Sequence, residues 1–298
     1  MKKPVAVSLT TDEKSNTEGI FALTKRHRHE MTIGIYFHLS ENIVSEISFT
    51  VTNGIGWIRL LRAEARNAFT QEMRVLFAEG MLEFARDEAV RVVVLTGSGK
   101  AFCAGTDLKE SGGVDPPHWL NARPVPLVSP LEDFPKPVIA AINGIAVGGG
   151  LELALASDLR IASRDARFGL PEVKIGSLAG SGGTQRLFAA VGSAVAAKMI
   201  LTGALIDAEE ALRVGLISDL ADPEALDALA EELASKVAAN APLSLLAAKR
   251  CILARREAPL KEGLALERTL WALLATTNDR AEGRMAFRER RAPNYVGK

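Results

Sequence analysis

The chain has 298 residues, 48% of them hydrophobic, so it can bury a large core as one domain or as two smaller ones. Its 36 basic and 36 acidic side chains cancel, which argues against partners such as nucleic acid or an anionic membrane. Two cysteines exclude a disulfide framework or a cysteine metal cluster and are typical of the reducing cytoplasm. No apolar run reaches the roughly 18 residues of a membrane span, and no signal pattern opens the chain. We therefore expect a cytoplasmic globular protein.

Residues 1–45 differ from the rest of the chain. They are polar, mixed in charge and without clear periodicity, which predicts a poorly ordered N-terminal extension outside the core. Acidic side chains within it argue against a transit peptide, because such peptides are poor in acidic residues.

Regular patterns begin near residue 46 and predict alternating strands and helices. Two β-rich stretches flank Asn53-Gly54, the dipeptide that most strongly indicates a tight hairpin. Residues 68–89 show helical spacing of apolar side chains, and the β-branched run VRVVVLTG follows them. The alternation recurs through KPVIAAINGIAVGG (strands), LELALASD (helix), LRIAS (strand) and TQRLFAAVGSAVAAKMILTG (helix). Repeated alternation predicts an α/β core over residues 46–206.

The last third of the chain, residues 207–298, has a different pattern. Its strand signal disappears, and four segments show the amphipathic spacing of helices: DAEEALRVG, PEALDALAEELASKVAANA, LSLLAAKRCILA and LKEGLALERTLWALLAT. We predict a helical C-terminal region.

Several familiar catalytic motifs are missing. The four histidines lie in or near the extension or in a Pro-rich loop, so histidine catalysis has little support: they are His27, His29, His38 and His118. Neither Ser98 nor Ser181 has the glycine that a nucleophile elbow places two residues earlier. The segment GSGK (97–100) lacks the Ser or Thr of a phosphate loop, and GSGGTQ (180–185) lacks the last glycine of a dinucleotide motif. The sequence therefore does not predict nucleotide binding.

Two glycine-bearing turns remain as candidates. Ala104-Gly105-Thr106 follows a strand, and glycine allows turn geometries that leave amide hydrogens free. The triplet 148–150 comes directly before the helix at 151–157, so the amides of Gly149 and Gly150 fall near its first turn, which favours negative charge. One donor from each turn, aimed at one point, would make an oxyanion hole. Either cluster alone is better explained by tight packing.

Two glutamates bear on the choice between these readings. Glu152 stands among Leu151, Leu153 and Leu155, and a carboxylate in an apolar helix is costly unless it is paired, protonated or solvated in a cavity. Glu172 precedes a glycine-rich loop, where a connection presents side chains to a site, although a solvated loop carboxylate explains it equally well. Two carboxylates in one cavity would supply an acid and a base.

The motifs together resemble a known family. GKAFCAGTDLKE, PKPVIAAINGIAVGGGLELALASDLRIAS, FGLPEVKIGSLAGSGGTQRL and TNDRAEGRMAFRERRAPNY are similar to segments of the crotonase superfamily, specifically the enoyl-CoA hydratases. The resemblance covers about residues 46–298. It implies a spiral of ββα repeats, a helical C-terminal trimerisation region, and a homo-trimer or a hexamer built as a dimer of trimers.

The resemblance also implies an activity and the residues that carry it. The activity is addition of water to a trans-2-enoyl-CoA to give a 3-hydroxyacyl-CoA, with coenzyme A as part of the substrate and neither a metal nor another cofactor. The amides of Thr106 and Gly149 form the oxyanion hole, Glu152 and Glu172 are catalytic, and the Gly180 amide helps to hold the water.

The resemblance implies acyl-CoA contacts as well. The strip from Ala104 to Lys109 falls on the acyl-CoA contact segment, and EARNAF resembles the motif whose backbone runs beside the CoA moiety. The implied substrate-binding residues are Ala104, Asp107, Leu108, Lys109 and Arg66.

Some features depart from the family pattern or leave alternatives open. Thr106 stands where hydratases often have alanine, Ala179 replaces a frequent proline, and the Pro-rich segment 111–135 is short for a region that shapes the acyl pocket. An enoyl-CoA isomerase shares the oxyanion hole but commonly uses one glutamate, and a carnityl-CoA-type dehydratase uses two. A non-catalytic acyl-CoA- or RNA-binding member of the fold is the remaining alternative, against which the neutral net charge and both glutamates count.

Overall fold

The computed structural model describes residues 21–27, 30–36, 46–110 and 127–298. Most of the predicted N-terminal extension and most of the Pro-rich segment 111–135 lie outside these residues. The strands of the described ranges are β1 (Phe21–His27), β2 (Glu30–Tyr36), β3 (Ile47–Thr52), β4 (Ile55–Leu60), β5 (Val92–Gly97), β6 (Ala101–Cys103), β7 (Val138–Ile142), β8 (Ile145–Val147), β9 (Leu159–Ser163), β10 (Arg167–Gly169), β11 (Ile206–Asp207) and β12 (Asp219–Ala221).

The helices follow in the same order. They are α1 (Gln71–Arg86), α2 (Ser129–Glu132), α3 (Gly149–Ala156), α4 (Gly183–Thr202), α5 (Ala208–Arg213), α6 (Leu226–Ala238), α7 (Pro242–Glu257), α8 (Leu260–Leu274) and α9 (Asn278–Glu289). Among the described residues no single helix is long and apolar enough to cross a membrane, although α6 with its preceding turn and α7, bent by 106°, pass the same test as a pair.

The strands are divided between two sheets. The larger has the order β1-β2-β3-β4-β5-β7-β9-β12 and the smaller β11-β10-β8-β6. From β5 to β10, successive strands join the larger and the smaller sheet in turn, and all neighbours from β4 to β12 in the larger sheet are parallel. Each strand pair from β5 to β10 thus adds one strand to the larger sheet and one to the smaller. This is the predicted α/β spiral of ββα repeats.

The predicted hairpin opens the core. β3 and β4 pair antiparallel with Thr52 opposite Ile55. Asn53 and Gly54, with φ of 52° and 81°, form the two-residue connection, because they are the residue types that adopt positive φ most readily. The following helix, α1, begins where the Thr70 hydroxyl accepts a hydrogen bond from the Met73 amide at 3.0 Å.

The N-terminal region contributes a hairpin that the residue pattern did not predict. β1 and β2 pair antiparallel from Phe21 opposite Tyr36 to His27 opposite Glu30. β2 continues the larger sheet through two pairs with β3, in which Met31 lies opposite Val51 and Thr32 opposite Thr50. The domain boundary at residue 45 stays a prediction.

Two predictions about the second half of the chain need correction. The segment predicted as one helix at 184–203 is broken, because Gly192 has φ of 77° and ψ of 168°, which no helix accommodates. The prediction that strands end near residue 207 is wrong, since β12 pairs in parallel with β9. A strand of three residues is too short for an alternation to show.

The core lies on both faces of the larger sheet. Every residue of β5 is buried, which explains its unbroken run of apolar residues in a strand covered on both sides. The larger cluster packs between the sheets with α1, α3 and α4. On the opposite face α6 places Leu226, Ala230 and Ala234 against the strands, over Ile55, Val92, Val94, Ile139, Ala141 and Ile161.

Candidate active site

The glycine triplet sits where β8 turns into α3. Gly148 has φ of 55° and ψ of −130°, a conformation that essentially only glycine adopts, and its amide donates to the Gly169 carbonyl at 3.0 Å. A Cβ on Gly150 would overlap the Cys103 carbonyl oxygen at the end of β6. The triplet therefore permits close packing, and it also begins α3 at Gly149.

The turn after β6 is held by a bridge to Phe69. The Phe69 amide donates to the Gly105 carbonyl at 2.7 Å, and the Asp107 amide donates to the Phe69 carbonyl at 2.9 Å. Between these two bonds, the N–H of Thr106 points away from Phe69, because successive amides of extended backbone point to opposite sides. The bridge thus fixes the direction of the Thr106 donor.

The two turns meet at their glycines. A Cβ on Gly105, whose φ is 93°, would lie 3.0 Å from the Gly149 nitrogen, and one on Gly149 would lie 3.3 Å from the Gly105 Cα. Among the described residues, no protein acceptor takes a hydrogen bond from the amide of Thr106 or of Gly149. One donor from each turn is therefore available on adjoining backbone, as an oxyanion hole needs.

Glu152 lies in the first turn of α3 and is 3% exposed. Its Oε1 accepts hydrogen bonds from the amides of Ser181 at 2.6 Å and Gly183 at 2.8 Å. Gly183 begins α4, so the carboxylate also faces the positive end of that helix dipole. Two backbone amides and a helix N-terminus thus favour a negative charge on this buried carboxylate.

Glu172 reaches the same region from the other side. It follows β10 in a short 3-10 helix, and its Oε1 would lie 3.2 Å from a Cβ placed on Gly148. The Gly148 carbonyl in turn accepts a hydrogen bond from the Glu152 amide at 3.0 Å. Its Oε2 is buried and has no hydrogen-bond partner among the described residues. Burial first, and then the negative charge of Glu152, raise the pKa of Glu172 above its ordinary value. The structure thus brings both predicted glutamates together.

The raised pKa of Glu172 has a consequence for stability. The folded protein holds this proton more tightly than the unfolded chain, so stability falls as pH rises from the unfolded pKa, near 4.5, through the higher folded pKa. We expect Glu172→Gln, which cannot ionise, to melt above wild type at pH 7.5 and close to wild type at pH 4.5, measured by calorimetry at both pH values. An equal shift at both pH values would contradict this explanation.

The predicted acyl-CoA contact strip is exposed at half of its six residues. Leu108 is 64% exposed, Lys109 is exposed, and Ala104 is partly buried. Asp107 is engaged within the protein: its carboxylate accepts from the Lys109 amide at 3.0 Å and pairs with Arg62 at 3.1 Å, which together hold its pKa below the ordinary value. Asp107 shapes the turn.

Arg66 and Gly180 lie at the two edges of the site. Arg66 is exposed, has φ of 51°, and its carbonyl accepts from the Ala104 amide at 2.9 Å, which ties EARNAF to the contact strip. Gly180 is exposed and directly precedes Ser181. Among the described residues its amide donates no hydrogen bond to the protein.

Sequence reasoning missed three supporting groups. The amides of Ser181 and Gly183 belong to the glycine-rich segment before a helix, which is a signal for an anion site, but the sequence does not indicate that Glu152 is the anion. Asn67 is fully buried, and its side-chain Nδ2 donates hydrogen bonds to the carbonyls of Ser98 at 3.0 Å and Ala101 at 2.7 Å. These bonds join EARNAF to the start of β6. Arg74 is taken up below.

Cys103 is buried beside the candidate oxyanion hole. Its Sγ accepts a hydrogen bond from the Gly105 amide at 3.3 Å, and burial raises the pKa of the thiol to about 12. A neutral thiol in this position supports the turn and is not a nucleophile. Within the described ranges, no group of three or more His, Cys, Asp or Glu side chains could hold a metal ion.

Comparison with known proteins gives a consistent result. The family model for enoyl-CoA hydratase/isomerase matches residues 50–298. The chain is 48% identical to an (E)-benzylidenesuccinyl-CoA hydratase from Thauera aromatica, over 84% of this chain and 99% of the relative, and 41% identical to a 2,3-dehydroadipyl-CoA hydratase from Escherichia coli K12, over 86% and 100%. The crystal structure of an enoyl-CoA hydratase from Bacillus anthracis superposes with a TM-score of 0.81 at 38% identity, covering 85% of this chain and 100% of the other.

The fold, the two meeting turns and these matches agree. The chain belongs to the enoyl-CoA hydratase/isomerase family, the crotonase-fold family that the motifs predicted. Its activity is that of an enoyl-CoA hydratase, a hydro-lyase that acts on acyl-CoA thioesters.

Proposed function

We propose that the two meeting turns polarise the thioester of a trans-2-enoyl-CoA. The carbonyl oxygen accepts hydrogen bonds from the amides of Thr106 and Gly149, so negative charge that moves onto it during attack at C3 is stabilised. The unpartnered state of both amides and the contact between Gly105 and Gly149 support this role. Each such donor is typically worth about 3–4 kcal/mol in the transition state.

The two glutamates divide the acid and base roles between them. Glu152, ionised, takes a proton from the water that attacks C3, and Glu172, protonated, donates a proton to C2, which gives a 3-hydroxyacyl-CoA. The Gly180 amide helps to hold that water from the edge of the site. Oxygen, hydrogen and charge balance in this addition, and both carboxyl groups return to their starting states by exchanging one proton.

One observation carries this assignment. The two carboxyl groups are neighbours in opposite environments: Glu152 accepts from two amides at a helix N-terminus, whereas Glu172 has a buried oxygen without a partner and a raised pKa. Environments that separate two carboxyl groups in this way set one as the base and the other as the acid.

The reaction is tested by product identification. We expect purified protein to convert trans-2-enoyl-CoA to 3-hydroxyacyl-CoA, seen as loss of the enoyl thioester absorbance and a product heavier by one water in mass spectrometry. A 3-enoyl-CoA supplied as the control substrate separates hydration from double-bond migration. Migration without hydration would overturn the mechanism in favour of an isomerase, and tight CoA binding without any conversion would favour a non-catalytic binding protein.

We also propose a class of substrate: 2-enoyl-CoA esters whose acyl group carries a second carboxylate. The names of two relatives, the (E)-benzylidenesuccinyl-CoA and 2,3-dehydroadipyl-CoA hydratases, describe acyl groups derived from dicarboxylic acids, and a third, a methylglutaconyl-CoA hydratase from mouse at 36% identity, does so as well. Exposed Lys109 and Arg66 are candidates for contacts with the CoA part of the ester.

The remaining proposals concern the oligomeric state, the cellular location and the partners. We propose a homo-trimer or a hexamer of two trimers in the cytoplasm, with no cofactor apart from the CoA of the substrate and no role for nucleic acid or membrane. Large apolar side chains on α4, α8 and α9 support assembly, because such exposure is typical of surfaces covered by a partner: Leu201 at 75%, Trp271 at 63%, Leu273 at 60% and Phe287 at 85%.

A further inference from the structure

A guanidinium group lies beside the candidate oxyanion hole. Arg74 is half-buried on α1, and its Nη2 donates a hydrogen bond to the Thr106 hydroxyl at 2.6 Å. Addition of water to an enoyl thioester does not itself call for a fixed cation beside the acyl group, since the two amides and two glutamates supply the donors, the base and the acid. Hydration itself therefore assigns no role to the charge of Arg74.

The position of Arg74 relative to the substrate follows from covalent geometry. The hydroxyl and the amide of Thr106 belong to one residue and lie at most about 4 Å apart, so the guanidinium is within roughly 6–7 Å of the amide that takes the thioester oxygen. A substituent that extends a few bonds from the thioester carbon can span that distance. Arg74 is thus within reach of the acyl group.

The surroundings of Arg74 are unfavourable to an apolar acyl chain and, without the charge of Arg74, to an anionic one. Burial lowers the pKa of Arg74, because its charge has lost part of its water. An apolar acyl chain would remove more water from this charge and offer no hydrogen bond in return. The negative charges of Glu110 and Glu152 also act on Arg74. Without the guanidinium, these two carboxylates would repel an acyl group that carries a third.

The chemistry of guanidinium fits this ligand. It stays protonated at neutral pH and carries five N–H donors in a planar fork that matches a carboxylate in two-point contact. Arg74 has contacts besides the one to Thr106, and the inference holds with those contacts in place, because the fork serves several acceptors at once.

We infer that Arg74 is a specificity-determining residue, which binds a second carboxylate carried by the acyl group of the substrate. This inference rests on the proposed function, because the proposed function places the thioester at Thr106 and Gly149. It adds the residue that would distinguish dicarboxylic from simple acyl groups, and it gives Thr106, in place of the frequent alanine, a role in holding that residue.

The experiment compares two substrates of equal chain length. One is the monothioester of a six-carbon 2-enedioic acid with CoA, and the other is trans-hex-2-enoyl-CoA, which lacks the second carboxylate. We expect Arg74→Met to lower kcat/KM for the first about 10- to 100-fold, the usual worth of a hydrogen-bonded charge pair, and to change kcat/KM for the second by less than about threefold. Arg74→Lys, which keeps the charge and loses the fork, should fall between.

The controls separate this inference from the proposed function and from misfolding. Arg86→Met, an exposed position at the end of the same helix, should leave both substrates unaffected. Conversion of hex-2-enoyl-CoA by Arg74→Met shows that the variant folds and that hydration proceeds. Equal loss of kcat/KM for both substrates, or no loss for either, would overturn the role of Arg74 while hydration by wild type stands. Failure of wild type to hydrate either substrate would overturn the proposed function instead.

Discussion

Replacing Glu152 by glutamine should lower the turnover of trans-2-enoyl-CoA by about 10²- to 10⁴-fold, the usual contribution of a general base. The change keeps the shape of the side chain, and the glutamine carbonyl oxygen can still accept from the Ser181 and Gly183 amides. The helix N-terminus, the buried packing and the fold therefore remain, whereas the charge and the proton acceptor are lost. Steady-state hydration of a trans-2-enoyl-CoA measures the effect.

A matched variant shows whether the loss of turnover is specific to position 152. Glu224→Gln makes the same chemical change at an exposed residue of the turn before α6 and should leave turnover unchanged. Acyl-CoA binding, measured by calorimetry with a saturated thioester, should persist in Glu152→Gln, because the amides that hold the thioester are untouched. Turnover within threefold of wild type would remove Glu152 from the mechanism.

Replacing Thr106 by proline should lower kcat about 10²- to 10³-fold, the usual cost of one oxyanion-hole donor. Proline removes the amide hydrogen of residue 106, which bonds to no acceptor among the described residues. The bonds to Phe69 are made by the Gly105 carbonyl and the Asp107 amide, and the substitution leaves both in place. The loss should therefore appear in turnover more than in melting temperature. Hydration kinetics beside a thermal melt of the same preparation separate the two effects.

The control for this variant keeps the amide and removes the side chain. Thr106→Ala should stay within about fivefold of wild type on trans-hex-2-enoyl-CoA, because the amide and not the hydroxyl contacts the thioester. If Thr106→Ala and Thr106→Pro lose the same activity, the threonine side chain carries the effect and the amide does not.

Local features of the fold were predictable from the sequence. The hairpin at Asn53-Gly54 depends on two residues that accept positive φ, and the buried strand 92–97 depends on a continuous apolar run. Alternation of such strands with helical spacing is enough to predict an α/β core. In each case the signal lies within a few residues of the structure it specifies.

Features that depend on distant partners were not predictable in this way. β12 is a strand because β9 offers a free edge to three residues, and the break of α4 at Gly192 follows from backbone conformation inside a strongly helical segment. The N-terminal hairpin likewise joins the sheet only through β3. Local propensity is too weak to specify such contacts.

The same division applies to the candidate site. Its glycine turns and glutamates could be named from the sequence, because each is unusual in its own segment. What stabilises Glu152 could not, since Ser181 and Gly183 lie about thirty residues away and only the packing of α3 against α4 brings their amides to it. Arg74 gave no local signal at all, because an arginine on an amphipathic helix is ordinary until its neighbour is known to be Thr106.

The central claim is that Glu152 is held ionised beside the substrate as the base for the attacking water. Its most direct test is the kcat of Glu152→Gln at enoyl-CoA concentrations shown by calorimetry to saturate the variant. We predict saturable binding close to wild type with kcat at least about a hundredfold lower. A wild-type kcat, or a loss of activity due only to weaker binding, would contradict the claim.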